Sequence, residues 1–325
     1  MKDIGLVGLP FSGKSTLFRA LTRAGVVGGR ANQAVVPVPD PRLPELTRIE
    51  ASRKTVNAQV RFVDVPGGTS SAQGIAALRE VDALAIVVRC FGPDASPADE
   101  LRGVHEELLL ADLSVIDSAL ERARKRARGK PGAEADALEA AHDALSSETP
   151  LRDAGLDGAQ RAELRAIAPL TLKPFVVVAN LEEGADAPPG LPGDVVGVYA
   201  SIEAETAEMD AEEARALLEE FGVAEPGLEK VIAAGYRALD LITFLTTGDD
   251  ETRAWEVRRG ARAPEAAAAI HTDLERGFIR AEVIGYGDLV EAGSMEAAKS
   301  KGLLRVEGKD YVVREGDILH VRFAV

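Results

Sequence analysis

The sequence predicts an α/β fold: a doubly wound parallel sheet built around a phosphate-binding loop, interrupted by a helical hairpin and followed by a small β-rich domain. Three observations predict it. Gly8-Leu9-Pro10-Phe11-Ser12-Gly13-Lys14-Ser15, with Thr16 behind it, reads Gly, four residues, Gly-Lys-Ser. Continuous apolar runs at 4–7, 83–88 and 175–179 read as buried parallel strands. Between 106 and 168 the apolar residues fall at helical spacing, and from about 239 they take the runs and alternation of strands.

The glycine motif lies between the run Ile4-Gly5-Leu6-Val7 and Thr16-Leu17-Phe18-Arg19-Ala20-Leu21, which reads as the first turns of a helix. In that setting backbone N–H groups point into the loop's concavity and the helix N-terminus adds positive potential, so a polyphosphate fits there. Gly8, Pro10, Phe11, Ser12, Gly13, Lys14, Ser15 and Thr16 are the candidate phosphate-binding residues. Lys14, reaching the β- and γ-phosphates, is the candidate catalytic residue, and the Ser15 hydroxyl is a candidate Mg²⁺ ligand.

The next segment, 23–32, is rich in glycine (Gly25, Gly28, Gly29) and is expected to be mobile. A nucleotide switch usually offers Mg²⁺ a threonine here, yet 23–39 contains none. Pro37, Pro39 and Pro41 then fix an extended path and a turn. The run 60–67 ends in Asp64-Val65-Pro66-Gly67. An aspartate at a strand's carboxyl end holds Mg²⁺ through water, and Gly67 lets its N–H approach the γ-phosphate. Gly68 follows, where Ras-like GTPases carry a water-orienting glutamine.

The run 173–179 leads into Asn180-Leu181-Glu182-Glu183. Guanine-specific proteins have Asn-Lys-x-Asp here. Leu181 replaces the lysine, and Glu183 carries its carboxylate one methylene further than aspartate would, which spoils the fit to guanine. Another run, 195–199, leads into Ala200 and Ser201, the expected base-packing loop. These runs define a P-loop NTPase of the Ras-like type, with nucleotide at the strand carboxyl ends.

Leu108, Leu109, Leu113, Ile116 and Leu120, then Ala137, Leu138, Ala141 and Leu145, predict an inserted antiparallel helical hairpin broken by Gly129, Pro131 and Gly132. Arg122, Arg124, Lys125, Arg126, Arg128 and Lys130 crowd its tip, either as a solvated face or as a contact for RNA phosphates. Beyond it, runs at 278–284, 304–306 and 318–323 with glycine turns predict a β-grasp-like domain. The expected organisation is 1–105 with 170–237 as the nucleotide domain, 106–169 as the hairpin and 238–325 as the β-grasp domain. His271 is expected to cap or pack.

Composition bounds the function. A formal net charge of −15 over 325 residues argues against a general phosphate-backbone binder. One cysteine, Cys90, excludes an internal disulfide and suits a reducing compartment. The start reads as a strand rather than a signal peptide, and no apolar run approaches the roughly 20 residues of a membrane span. A soluble, cytoplasmic protein without membrane contact is expected.

These residues together resemble the YchF subfamily of Obg-like ATPases, P-loop proteins related to translation factors. The resemblance runs along the whole chain. It is carried by 8–16, 36–43, Phe62-Val63-Asp64 and 87–91. At the C-terminal end it is carried by 241–244, Arg253-Ala254-Trp255, 270–273, 276–283 and 307–311, which look like the family's TGS region. It implies Mg²⁺ with ATP, GTP being weaker, slow hydrolysis, and a base motif Asn-x-x-Glu matched by Asn180 and Glu183. It also implies ribosome or rRNA contact through the hairpin tip and the TGS domain. The chain departs from the pattern in several places. Phe11 and Ser12 stand where the family has Asn-Val, an asparagine suited to a monovalent cation. The switch threonine is missing, and Gly68 replaces a bulky apolar residue. The segment 92–101 is short and lacks the family's histidine, and Tyr199 replaces a serine. The resemblance is therefore to a divergent member: a slow ATP hydrolase, or else a nucleotide sensor with little turnover or a GTP-binding switch.

Overall fold

The computed structural model describes residues 1–23, 32–65, 67–127, 132–193, 195–207, 209–221, 223 and 226–324. Most of the glycine-rich segment, Arg128 and Lys130 lie outside them. In chain order the elements are β1 (Lys2–Val7), α1 (Lys14–Arg23), β2 (Gln33–Pro37), α2 (Arg42–Glu50), β3 (Thr55–Val56), β4 (Gln59–Asp64), α3 (Ala72–Glu80), β5 (Ala83–Cys90), α4 (Pro97–Ala127), α5 (Ala133–Ser146) and α6 (Gly158–Glu163). Then come β6 (Phe175–Leu181), β7 (Val195–Val198), α7 (Ala200–Thr206), α8 (Ala211–Glu220), α9 (Gly227–Ala238), β8 (Leu241–Thr246) and β9 (Thr252–Arg258). The last are α10 (Ala263–Ile270), α11 (Thr272–Arg276), β10 (Phe278–Gly285), α12 (Tyr286–Ala292), α13 (Met295–Ser300), β11 (Arg305–Glu307) and β12 (Asp317–Phe323).

The chain forms two compact units: Lys2–Val36 with Arg61–Gly235, and Met1 with Pro37–Val60 and Tyr236–Val325. The first holds a six-stranded sheet in the order β2-β4-β1-β5-β6-β7, with β1, β5, β6 and β7 parallel. From β1 the chain goes to β2 and β4 on one side and to β5, β6 and β7 on the other. The loop after β1 thus sits at the switch point where doubly wound sheets bind ligands. Burial is nearly continuous along β5, as both faces of a parallel strand demand.

Helix α4 begins at Pro97, earlier than the periodicity suggested, because proline at the first helical position loses no hydrogen bond. Its first half packs on the sheet through Leu101, Val104 and Leu108. Its second half packs on α5, with Ile116, Leu120 and Ala123 against Leu138, Ala141 and Leu145. One helix therefore serves both the sheet and the hairpin.

The second unit is a mixed sheet, β11-β10-β12-β8-β9-β3, with α10 laid on it through Ala263, Ala266 and Ala267. Strands β12 and β8 are parallel, whereas β8–β9, β10–β12 and β10–β11 are antiparallel. His271 caps α11, its Nδ1 accepting from the Asp273 N–H at 3.2 Å. The units differ from the expected boundaries: Pro37–Val60 belongs to this unit rather than to the nucleotide unit, this unit begins at Tyr236 rather than 238, and the hairpin 106–169 is part of the first unit rather than a separate domain. For Pro37–Val60 the cause is local. Asp40 accepts from the Arg42 N–H at 3.0 Å and Arg42 pairs with Glu315 at 2.7 Å, while β3 pairs with β9 as a parallel edge strand. Among the described residues, no helix is long and apolar enough to cross a membrane.

Candidate nucleotide site

The loop between β1 and α1 walls a cavity of about 330 Å³, completed by Gly67, Gly68, Thr69, Ser70 and Glu107. All the residues 8–16 line it. The Leu17 N–H donates to Gly13 O at 2.9 Å, so α1 starts directly from the loop and its N-terminus faces the cavity. Gly13 is required on two counts. Its φ is +87°, and a Cβ there would stand 1.9 Å from the Asn180 Nδ2. Phe11 takes φ +70° and is 89% exposed, a strained place for a large apolar residue. Ser12 is buried, and among the described residues its Oγ has no hydrogen-bond partner. The family's valine would carry no such unmet hydroxyl.

Lys14 forms an ion pair with Asp64. The structure thus joins the cation at the start of α1 to the carboxylate at the end of β4. Gly67 follows at φ +75°, and a Cβ there would meet Ser71 Oγ at 2.4 Å, because that hydroxyl caps α3 by accepting from the Gly74 N–H at 3.0 Å. Gly68 is buried at φ +47° with nothing within 4 Å of a Cβ position. Among the described residues no cluster of three or more His, Cys, Asp or Glu could hold a metal. The donors present, Ser15 and Asp64, fit Mg²⁺, which takes few protein ligands and draws the rest from phosphate oxygens and water.

A second cavity of about 690 Å³ opens beside Gly13 and Thr16 and is lined by Phe91, Gly92, Asn180, Leu181, Glu182, Glu183, Tyr199, Ser201 and Ile202. Glu183 and Ser201 both line it, whereas Ala200 does not. Two of these side chains are held by packing and hydrogen bonds within the protein. The amide of Asn180, 6% exposed, donates to Ser12 O at 3.0 Å and accepts from the Ala200 N–H at 3.3 Å. It ties the phosphate loop to the base loop. Leu181 is buried, with its Cδ1 beside Gly197. Tyr199 donates to Ala185 O at 2.9 Å and closes one wall.

Sequence reasoning missed Glu107, Thr69 and Phe91 as lining residues, while Tyr199 was expected at the base-packing loop. Of the three, only Phe91 had a signal, at the end of the apolar run that forms β5. At the hairpin tip, Arg124 pairs with Glu139 at 2.8 Å, Arg126 with Glu134 at 2.6 Å and Lys125 with Glu121 at 3.5 Å. Acidic neighbours therefore offset much of the basic run.

Residues 3–117 match the family model described as 50S ribosome-binding GTPase, and residues 241–324 match YchF-GTPase_C, described as a protein of unknown function. The ribosome-binding ATPase YchF of Haemophilus influenzae is 41% identical over 358 aligned positions, covering 99% of each chain. That of Bacillus subtilis is 38% identical, again over 99% of each. The solved Schizosaccharomyces pombe YchF GTPase superposes with a TM-score of 0.89 at 28% identity, covering 99% of this chain and 97% of that one. Full-length similarity at this level, with the phosphate loop, the tethered Asn180 and the β-grasp unit all in place, makes this chain a member of the YchF family.

Proposed function

We propose that this protein binds Mg²⁺-ATP and hydrolyses it slowly as a cytoplasmic, ribosome-associated switch. One observation carries the reading: a cavity lined by the phosphate loop, whose Lys14 pairs with Asp64, and a second cavity lined by Glu183 share Gly13 and Thr16. Lys14 would pass to the β- and γ-phosphates, and Ser15 with Asp64 would hold Mg²⁺, which neutralises charge on the transferred phosphoryl group. Gly8, Gly13, Thr16 and Gly67 would contribute backbone donors. Glu183 is displaced for a bidentate pair with guanine, which would bury donors at a cost of roughly 1–3 kcal/mol each. The names of the Haemophilus and Bacillus relatives support the ATP and ribosome assignments. The hairpin tip and the β-grasp unit are the proposed ribosome contacts.

Calorimetric titration with ATP and GTP in Mg²⁺ tests the reading. A preference for ATP of about tenfold or more is expected, since about 1.4 kcal/mol is a factor of ten. Equal affinities, or a preference for GTP, overturn it. A sensor with little turnover is the second reading, favoured by Gly68, which has no side chain to orient water, and by Phe11, which lacks the amide of the asparagine it replaces. Single-turnover hydrolysis with and without ribosomes and K⁺ separates the two.

A further inference from the structure

Gly68 leaves the nucleotide site without the side chain that usually orients the attacking water. The phosphate cavity nevertheless contains a polar pair in its lining. Thr69 lies in the turn Gly68–Ser70, and its hydroxyl donates to Glu107 Oε2. Both residues line the cavity together with the phosphate loop. Glu107 comes from the half of α4 that packs on the sheet, next to the fully buried Leu108, so its backbone is fixed. The turn is fixed as well: the Gly68 N–H donates to Val65 O and the Ser70 N–H to Gly67 O, both at 3.0 Å.

A carboxylate facing the place of a triphosphate is repelled by it, unless a hydrogen-bond donor stands between the two. Water is such a donor. Thr69 occupies one lone pair of Oε2, and Oε1 has no hydrogen-bond partner among the described residues, so it can accept. The Thr69 oxygen, having donated its own proton, can accept from the same water. The pair thus offers two acceptors to one molecule within the cavity lined by the phosphate loop.

Resting on the hydrolase reading above, we infer that Glu107 is the catalytic base of this protein and that Thr69 is its positioning residue, together replacing the missing glutamine. The water oxygen bonds to the γ-phosphorus. The bond from that phosphorus to the β–γ bridging oxygen breaks, and its electron pair stays on the ADP leaving group. The water proton passes to the Glu107 carboxylate and from there to the released phosphate.

The test measures two things on each full-length variant: affinity for Mg²⁺-ATP by titration, and single-turnover phosphate release with ribosomes present. Glu107→Gln keeps the shape and removes the base, so release should slow by about 100-fold, within the range of general-base effects. ATP affinity should hold or tighten, because a repelling charge is gone. Glu107→Asp should recover part of the rate. Thr69→Ala should slow release by roughly tenfold, a smaller share of the same effect, and Thr69→Ser should restore it. A protein that merely needs Glu107 to fold would lose binding and release together in Glu107→Gln. Such a joint loss overturns the inference, as does release at the parental rate. So does a parent that binds ATP yet releases no phosphate. A parent that fails to bind Mg²⁺-ATP overturns the functional reading itself, and the titration shows that separately.

Discussion

Arg79 on α3 pairs with Asp112 on α4 at 2.8 Å, and Asp112 is wholly buried. The carboxylate also accepts from the Leu170 N–H at 2.9 Å, the Thr171 N–H at 2.7 Å and the Thr171 hydroxyl at 2.9 Å. Arg79 in turn donates to Ala111 O at 3.1 Å and Ala168 O at 3.0 Å. One ion pair thus fastens the helix after Gly67 to the base of the hairpin. Removing one partner strands a buried charge, so Arg79→Ala should cost about 3–5 kcal/mol. Urea denaturation reads this as a lowered midpoint. An unchanged midpoint would mean that the pair contributes nothing to holding α4.

Asn180→Ala should weaken ATP binding by about 10- to 100-fold, from two lost hydrogen bonds near 1–1.5 kcal/mol each. Both bonds serve the backbone of nucleotide-binding loops. The loss should therefore appear for ATP and GTP alike in fluorescence titration, whereas Glu183→Asp should change their ratio. An Asn180→Ala effect confined to one base would assign the residue to base recognition instead.

Phe11→Asn should raise turnover in K⁺ relative to Na⁺, while the parent shows little K⁺ stimulation. Phe11 offers no oxygen to a cation, and its φ of +70° suits asparagine better than phenylalanine. Steady-state phosphate release in matched K⁺ and Na⁺ buffers measures it. A parent already strongly stimulated by K⁺ would show that another group supplies the ligand.

Reversing Arg124, Lys125 and Arg126 to Glu should reduce ribosome cosedimentation and flatten its dependence on salt, leaving ATP affinity as it was. Their ion pairs with Glu139, Glu121 and Glu134 keep the native effect modest. Cosedimentation equal to the parent at every salt concentration would reduce the tip to a solvated face.

His105 gives a pH prediction. Burial and then nearby Arg152 hold its imidazole below the ordinary 6.5, with Asp153 acting the other way. The ring meets Phe175 edge-on at 5.3 Å, and its buried Nε2 has no partner among the described residues. The unfolded chain therefore takes up a proton near 6.5 that the folded chain resists. This contribution to stability is complete above 6.5 and is lost as pH falls through the folded value. His105→Asn should flatten the urea midpoint against pH below 6.5; an unaltered slope would place the titration elsewhere.

The phosphate loop, the strands flanking it and the β-grasp unit were legible because each rests on local signals: a glycine spacing, an apolar run, a turn. What depends on which atoms face one another was not. The Asn180 motif letter reads the same whether its amide meets a base or, as here, two backbone groups. Glu107 stands in a helix with Glu106 beside it, and only the helix register turns one of them to the cavity. Pro37 to Pro41 signal an extended path but not its destination, which depends on Arg42 meeting Glu315 far along the chain.

That destination orders events at the ribosome that makes this protein. Ser52 and Thr252, hydrogen-bonded at 2.8 Å, are 200 residues apart, and β3 cannot find β9 until both exist. At 5–20 residues per second, the emerging segment waits about 10–40 seconds for its partner strand. Meanwhile Lys2–Val36 and Arg61–Gly235, on either side of the waiting segment, can close into the nucleotide unit. A fragment starting at residue 238 would be born without this edge strand, leaving β9 an open ladder on which other chains can nucleate.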